Sequence, residues 1–174
     1  MPKNLRRCTG HGDLHFITFC CYQRRCFLGT VRTRNLAIHI LQQVRARYGL
    51  ALIGYVLMPE HVHLLISESG SGGTAKIVQV FKQRVSRSLR KGRHRHSRQR
   101  TFCFAEASAE FRRFWQRRYY DFNVHTRAKM MEKLHYMHGN PVRAKLVGHP
   151  GDWPWSSWSD YYRGEGLLRM DHWN

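Results

Sequence analysis

The chain has 174 residues, enough for one domain with a sizeable buried core, and its hydrophobic content of 42% with 13% aromatics excludes an intrinsically disordered protein. Thirty Lys and Arg stand against 11 Asp and Glu, a net charge of +19, which calls for a polyanionic partner, nucleic acid ahead of an anionic membrane surface. No stretch is apolar for long enough to span a bilayer and no secretory leader is expected, so a cytoplasmic chain without a membrane partner is the expectation. The five cysteines are odd in number and form no C-x-x-C pair, which argues against a zinc ribbon and for free thiols in a reducing compartment.

Residues 1–13 carry a short basic arm with Lys3, Arg6 and Arg7. A first strand is expected over 15–22, where Phe16, Thr18 and Cys20 alternate with Ile17, Phe19 and Cys21; with both faces largely apolar it reads as an interior strand. Gln23-Arg24-Arg25 then opens a basic connection. Leu36, Ile40, Val44 and Tyr48 recur at a spacing of four and predict a helix over 33–48, ended by Gly49. Strands over 50–57 and 61–67 follow, separated only by Met58-Pro59-Glu60 and therefore expected to pair as a hairpin.

A Gly/Ser-rich loop at 69–73 precedes a second helix, for which Thr74 is the expected cap and Ile77, Phe81, Val85 and Leu89 the inner face. Its outer face, with Lys76, Lys82, Arg84, Arg87, Arg90 and Lys91, is almost wholly cationic and reads as a phosphate-contacting surface rather than mere solvation. Residues 91–100, including Arg93 and Arg95, are too basic and polar to join a core and read as a mobile arm or loop that orders on a polyanion. Aromatic density over 111–124 predicts a fourth strand with Arg117 and Arg118 exposed. Thr126 caps a third helix that Asn140-Pro141 must terminate. The extension from about 148 to 174 is rich in Trp and Tyr, read chiefly as packing with a lesser part in base stacking. The element order β-α-β-β-α-β-α makes this one α+β domain over 1–174, an antiparallel sheet with helices packed on it.

Two arrangements carry chemistry. Alternate residues of a strand share a face, so His61 and His63 present two imidazoles side by side while Val62 turns into apolar packing. Such a pair can chelate one divalent cation; the bland alternative is two histidines on the solvated face of a half-buried sheet. On the third helix Met130, Met131, Leu134 and Met137 form the core stripe, and Tyr136 falls roughly opposite with Asn140 four residues on. Lys129 and Lys133 share that side. Tyr136 there is either a plain surface tyrosine or a nucleophile beside a polar metal ligand in a field of positive charge.

These residues carry a resemblance. His61-Val62-His63 looks like the HUH motif (histidine, bulky hydrophobe, histidine) of single-strand DNA endonucleases, and Met58 to Leu65 is similar to its form in single-tyrosine transposases of bacterial insertion sequences, the IS200-like group. The run Tyr136-Met137-His138-Gly139-Asn140-Pro141-Val142-Arg143-Ala144-Lys145-Leu146-Val147 resembles REP-associated tyrosine transposases, as do Trp115-Gln116-Arg117-Arg118-Tyr119-Tyr120-Asp121 and Trp155-Ser156-Ser157-Trp158.

The resemblance implies a ferredoxin- or RRM-like HUH fold and a metal-dependent endonuclease and strand transferase acting on palindromic single-stranded DNA hairpins. Carried over by position, His61, His63 and Asn140 would bind Mg²⁺ or Mn²⁺, and Tyr136 would form a 5′-phosphotyrosine intermediate. Glutamine is common at the third ligand position in the wider group, so Asn140 points to the REP-associated branch. Glu60, Lys133 and His138 are candidates for catalytic support. Lys3, Arg6, Arg7, Lys82, Arg84, Arg87, Arg90, Lys91, Arg93, Arg95, Arg117 and Arg118 are the expected DNA contacts. A nucleoid-associated monomer or homodimer is implied. The competing readings are a catalytically idle DNA- or RNA-hairpin-binding module on the same scaffold and a metal-independent structural protein; Tyr119 and Tyr120 are the rival nucleophiles.

Overall fold

The computed structural model describes residues 14–67, 73–97 and 113–173, with no side-chain description for 91–97; the basic arm at 1–13 and its Lys3, Arg6 and Arg7 lie outside the described residues, as do the side chains of Lys91, Arg93 and Arg95. The elements follow the expected order: β1 (Leu14–Cys20), α1 (Val31–Tyr48), β2 (Leu52–Leu57), β3 (His61–Ser67), α2 (Gly73–Ser97), β4 (Tyr120–Val124), α3 (Arg127–His138), α4 (Asn140–Arg143) and α5 (Trp158–Arg163). The sheet runs β2-β3-β1-β4, every neighbour antiparallel, with β1 in the interior as its apolar character requires.

Register decides which side chains meet. Cys20 lies opposite His61 and Thr18 opposite His63, so Phe16, Thr18, Cys20, His61 and His63 share one face. Phe16 and Thr18 are also paired with Phe122 and Tyr120, which extend that face onto β4. The other face carries Ile17, Phe19, Val62 and Leu64 and is covered by α1 and α2, with the Phe81 ring edge-on to Phe19 at 5.7 Å. Thr30 caps α1 by accepting from the Thr33 N–H, and Gly49 ends it at φ +59°, a left-handed turn that glycine takes without strain.

The site-bearing face is covered by α3, whose approach to β2 is close. A Cβ added at Gly54 would lie 2.6 Å from both Leu134 Cδ2 and Met137 Cε, so the absence of a side chain sets the distance between helix and sheet. The C-terminal extension seals the free edge of β2. Leu57 N–H donates to Trp155 O at 2.9 Å, Ser157 N–H to Tyr55 O at 3.0 Å and Asp171 N–H to Leu52 O at 2.9 Å. The Arg34 guanidinium packs against both Trp153 and Trp155, at 4.8 and 3.8 Å from their ring centroids, which ties the extension to α1. These two tryptophans pack; they are not presented for base stacking.

Three sequence expectations are corrected. Thr74 lies inside α2, which begins at Gly73, and its hydroxyl donates to Asp121 Oδ2 at 3.3 Å instead of capping the helix. The basic run expected as a mobile arm continues α2 as far as Ser97, because Arg and Lys are good helix formers and polarity alone does not end a helix. The fourth strand begins at Tyr120, not at 111. Trp115 makes one bridge to Cys21 and turns its ring toward Phe19, donating its indole N–H to Lys82 O at 2.9 Å, so residues 115–117 lie against α2 rather than alternate across the sheet.

Gly54→Ala should overpack the α3–sheet contact and lower the unfolding free energy by about 1–3 kcal/mol, which urea denaturation measures; a loss well below that would mean α3 shifts without cost.

Candidate active site

His61 and His63 are both buried, and their Nε2 atoms lie 3.1 Å apart. Each ring is held by its other nitrogen: His61 Nδ1 meets Glu60 Oε1 at 2.8 Å and His63 Nδ1 meets Thr18 Oγ1 at 2.6 Å. Arg24 in turn braces Glu60 at 3.1 Å. These outer partners aim both Nε2 atoms at one point, the arrangement by which metal-binding histidines are oriented.

Burial pushes the His61 pKa below its ordinary value, with the Glu60 hydrogen bond working the other way. Burial pushes His63 well below, and the neighbouring His61, Arg143 and Arg24 charges act in the same direction. Burial works to raise the Glu60 carboxyl, but the His61 hydrogen bond and the surrounding positive charge outweigh it and hold it below the usual range. Near neutral pH the pair is therefore two uncharged imidazoles beside a carboxylate, and the uncharged ring is the form that binds a cation. A carboxylate accepts, so His61 Nδ1 carries the proton and its Nε2 the lone pair. Two Nε2 atoms at 3.1 Å fit neighbouring ligand positions on a divalent cation with bonds of about 2.1 Å. The donor set suits a metal.

Tyr136 stands at this pair. It is 47% exposed, and its ring meets the His63 ring edge-to-face at 5.6 Å and the Phe16 ring at 6.1 Å. The helical path does not stop at Asn140-Pro141: Gly139 keeps helical angles (φ −76°, ψ −10°), and α4 adds one more turn. Residues four and seven beyond Tyr136 thus fall on its side of the helix. The Asn140 amide nitrogen donates to Tyr136 O at 3.3 Å, which leaves its side-chain oxygen as the atom able to act as a ligand. The Arg143 guanidinium lies over the Tyr136 ring, 4.6 Å from its centroid, and donates to the same carbonyl.

The remaining expected site residues are placed as follows. Lys133 reaches the site face, its ammonium over the Phe122 ring at 4.8 Å and Phe16 at 5.3 Å and 3.4 Å from Glu132 Oε1, and Lys129 pairs with the other oxygen of the same carboxylate. His138 turns away from Tyr136: it is buried, with Nε2 at 2.9 Å from Ser157 Oγ and its ring against Tyr161. Lys82 points inward and donates to Gln116 O at 2.6 Å, and Arg84 donates to Gln43 across the α1–α2 contact. Arg87 and Arg90 ride on α2, on the side of the sheet opposite His61 and His63. Arg117 and Arg118 are exposed and line a groove of about 600 Å³ that starts at Thr18 and Cys20, beside the histidine pair, and includes Tyr22, Arg24 and Tyr120.

Arg143, Thr18 and Arg24 were missed as site residues. Arg143 had a usable signal, its helical phase with Tyr136; Thr18 and Arg24 are brought in by strand register and a turn, which no local pattern announces.

The family profile described as Transposase IS200 like matches residues 8–140. The chain belongs to the IS200-like transposase family. It is 23% identical over 163 residues to a Haemophilus influenzae protein assigned as a REP-associated tyrosine transposase, covering 89% of this chain and 85% of that one. A solved REP-associated tyrosine transposase bound to a REP hairpin superposes with a TM-score of 0.69 at 21% identity, covering 99% of this chain and 92% of the other. A transposase-like protein of Deinococcus radiodurans superposes with a TM-score of 0.51 at 18% identity, over 77% of this chain and 97% of that one. The antiparallel α+β fold expected from the sequence is the fold of these transposases.

Burial lowers the His138 pKa to about 4, with the positive charge of His135 adding to the effect, so the folded protein keeps this ring neutral where the unfolded chain protonates it near 6.5. The unfolded state binds more protons between those values, and stability should fall as pH drops from about 6.5 to 4, by about 3 kcal/mol for this residue. Denaturation against pH checks it: the slope should shrink in His138→Gln, and an unchanged slope would show the ring is protonated in the fold.

Proposed function

We propose that this protein is a single-strand DNA endonuclease and strand transferase that acts at palindromic hairpins through Tyr136. The observation that carries the reading is the Tyr136 ring against His63, whose Nε2 converges with that of His61 at 3.1 Å. A half-exposed tyrosine packed on an oriented, uncharged imidazole pair is an arrangement that a surface tyrosine or a purely structural histidine does not need.

In this reading the Tyr136 hydroxyl oxygen attacks the scissile phosphorus. The phenol gives up its proton as the phosphorus–Oη bond forms, the bond to the 3′-oxygen breaks, and the released oxygen takes up a proton, with no net gain or loss, to give a free 3′-OH and a 5′-phosphotyrosine. The phosphodiester energy is kept in the new ester, so another 3′-OH reverses the step and joins strands without ATP. His61, His63 and the Asn140 side-chain oxygen would hold Mg²⁺ or Mn²⁺, which when bound supplies charge stabilisation at the phosphate oxygens. Glu60 keeps His61 in the ligand tautomer, and Thr18 orients the His63 ring through its Nδ1. Lys133, clamped over Phe16 and Phe122 beside Tyr136, adds positive charge where phosphate arrives. Tyr136 meets His63 of its own chain, which supports a monomer as the catalytic unit.

A hairpin partner is supported by the REP hairpin held by the structural relative and by the +19 charge. The groove beside the histidine pair suits the unpaired strand next to the hairpin: Arg24, Arg117 and Arg118 match its phosphates, and Tyr22 and Tyr120 offer rings on which bases stack.

Two outcomes are expected. With hairpin DNA and Mn²⁺, a covalent protein–DNA band should form, vanish with EDTA and be absent in Tyr136→Phe and His63→Ala, while Thr18→Val should weaken Mn²⁺ binding about 10-fold; hairpin binding without any band would leave a non-catalytic binding module. Tyr120→Ala should cost about 1–3 kcal/mol in binding a hairpin with a single-stranded flank and little with a blunt hairpin; equal losses on both DNAs would remove the groove from the reading.

A further inference from the structure

Arg143 was not among the residues expected to act, yet it has the most specific contact with Tyr136 of any cation described. Its guanidinium is fixed from three sides. It lies over the tyrosine ring at 4.6 Å, it donates to the Tyr136 carbonyl, and it fills the space above Gly139. A Cβ at Gly139 would stand 2.6 Å from an Arg143 guanidinium nitrogen. Gly139 has ordinary helical angles (φ −76°), so the backbone does not require glycine there, and a side chain at this position would push the end of the Arg143 side chain aside. The His63 and Phe16 ring planes stand at 80° to the tyrosine ring in both cases, and the Arg143 guanidinium is the cation described over that ring.

We propose that Arg143 is a positioning residue for the nucleophile: a planar clamp, seated in the gap left by Gly139, that holds the Tyr136 ring in its attacking direction beside His63. The inference rests on the reading of Tyr136 as nucleophile. A half-exposed side chain on a helix is otherwise free to swing about its first side-chain torsion, and an attacking oxygen that strays by about 1 Å can lose about 100-fold in rate. A flat cation stacked on the ring and bonded to the same residue's carbonyl removes that freedom, and lysine, a point charge without a plane, does not replace it. Lys133 and Lys129 do not serve this purpose, being placed over Phe16 and Phe122 and against Glu132.

The test uses Arg143→Lys, which keeps the charge and loses the plane, and Gly139→Ala, which keeps the arginine and displaces it. In single-turnover reactions at saturating hairpin with Mn²⁺, both should slow formation of the covalent adduct by about 10-fold or more while hairpin and Mn²⁺ affinities stay within about two-fold of the parent. In the free protein, without DNA or metal, ring-labelled Tyr136 should show shifted resonances and faster ring flips in both variants. Parental adduct rates and parental ring signals in the two variants would overturn the proposal. So would a defect confined to affinity with the salt slope reduced by about one, which would make Arg143 a phosphate contact. An adduct that survives Tyr136→Phe would sink the nucleophile reading itself, and the ring signals of the free protein would still report separately on the clamp.

Discussion

The pairing of β1 with β3 is the constraint on which the site depends. In the observed register Cys20 faces His61 and Thr18 faces His63, which places the histidines on the sheet surface under α3 and gives His63 its hydrogen-bond partner. A slip by one residue would turn both imidazoles into the layer of α1 and α2, among Ile17, Phe19 and Phe81, and bring Val62 and Leu64 out beneath Tyr136. That slip is opposed by the apolar burial of Val62, Leu64 and Ile66, all fully enclosed. Burial of one strand face thus fixes the direction of the polar side chains on the other.

The sheet separates two uses of positive charge. On the α1–α2 side several cations are structural: Arg34 packs against two tryptophans, Lys82 ties the 115–117 segment to α2, and Arg84 bridges to Gln43. Burial accordingly lowers the pKa of both Arg34 and Lys82. At the rim of the histidine face Arg24, Arg117 and Arg118 remain exposed around one groove. A surplus of cations in the composition therefore overstates the surface open to a polyanion, and only packing tells the braces from the contacts.

The junction of α3 and α4 shows how a small backbone detail assembles a site. Proline at the second position of a helical turn gives up an N–H that has no intrahelical partner there, so Asn140-Pro141 can open α4 instead of ending the helical path. Gly139 keeps helical angles between the two, and Tyr136, Asn140 and Arg143 fall along one stripe. Opposite that stripe Met130, Leu134 and Met137 are buried, and Gly54 on β2 lets them approach the sheet closely enough to bring Tyr136 to His63.

By itself the sequence determined the element order, the interior position of β1, the hairpin of β2 and β3 and the shared face of His61 and His63. Each follows from local periodicity, and a two-residue or 3.6-residue repeat needs no tertiary information. It also marked Tyr136 as lying off the core stripe of its helix. What only the tertiary structure decided is which of the flagged residues meet. Thr18 reaches His63 across 45 residues of chain and Trp155 reaches β2 across nearly a hundred, through strand pairing that local pattern does not encode. His138, two residues from Tyr136 in sequence, falls on the opposite side of the helix with Ser157, while Arg143, seven residues away, returns to the tyrosine ring. The start of β4 was misplaced for the same kind of reason: Phe114 and Trp115 have strand-like composition, but their rings find a better burial against Phe19 and Phe27 than in the sheet.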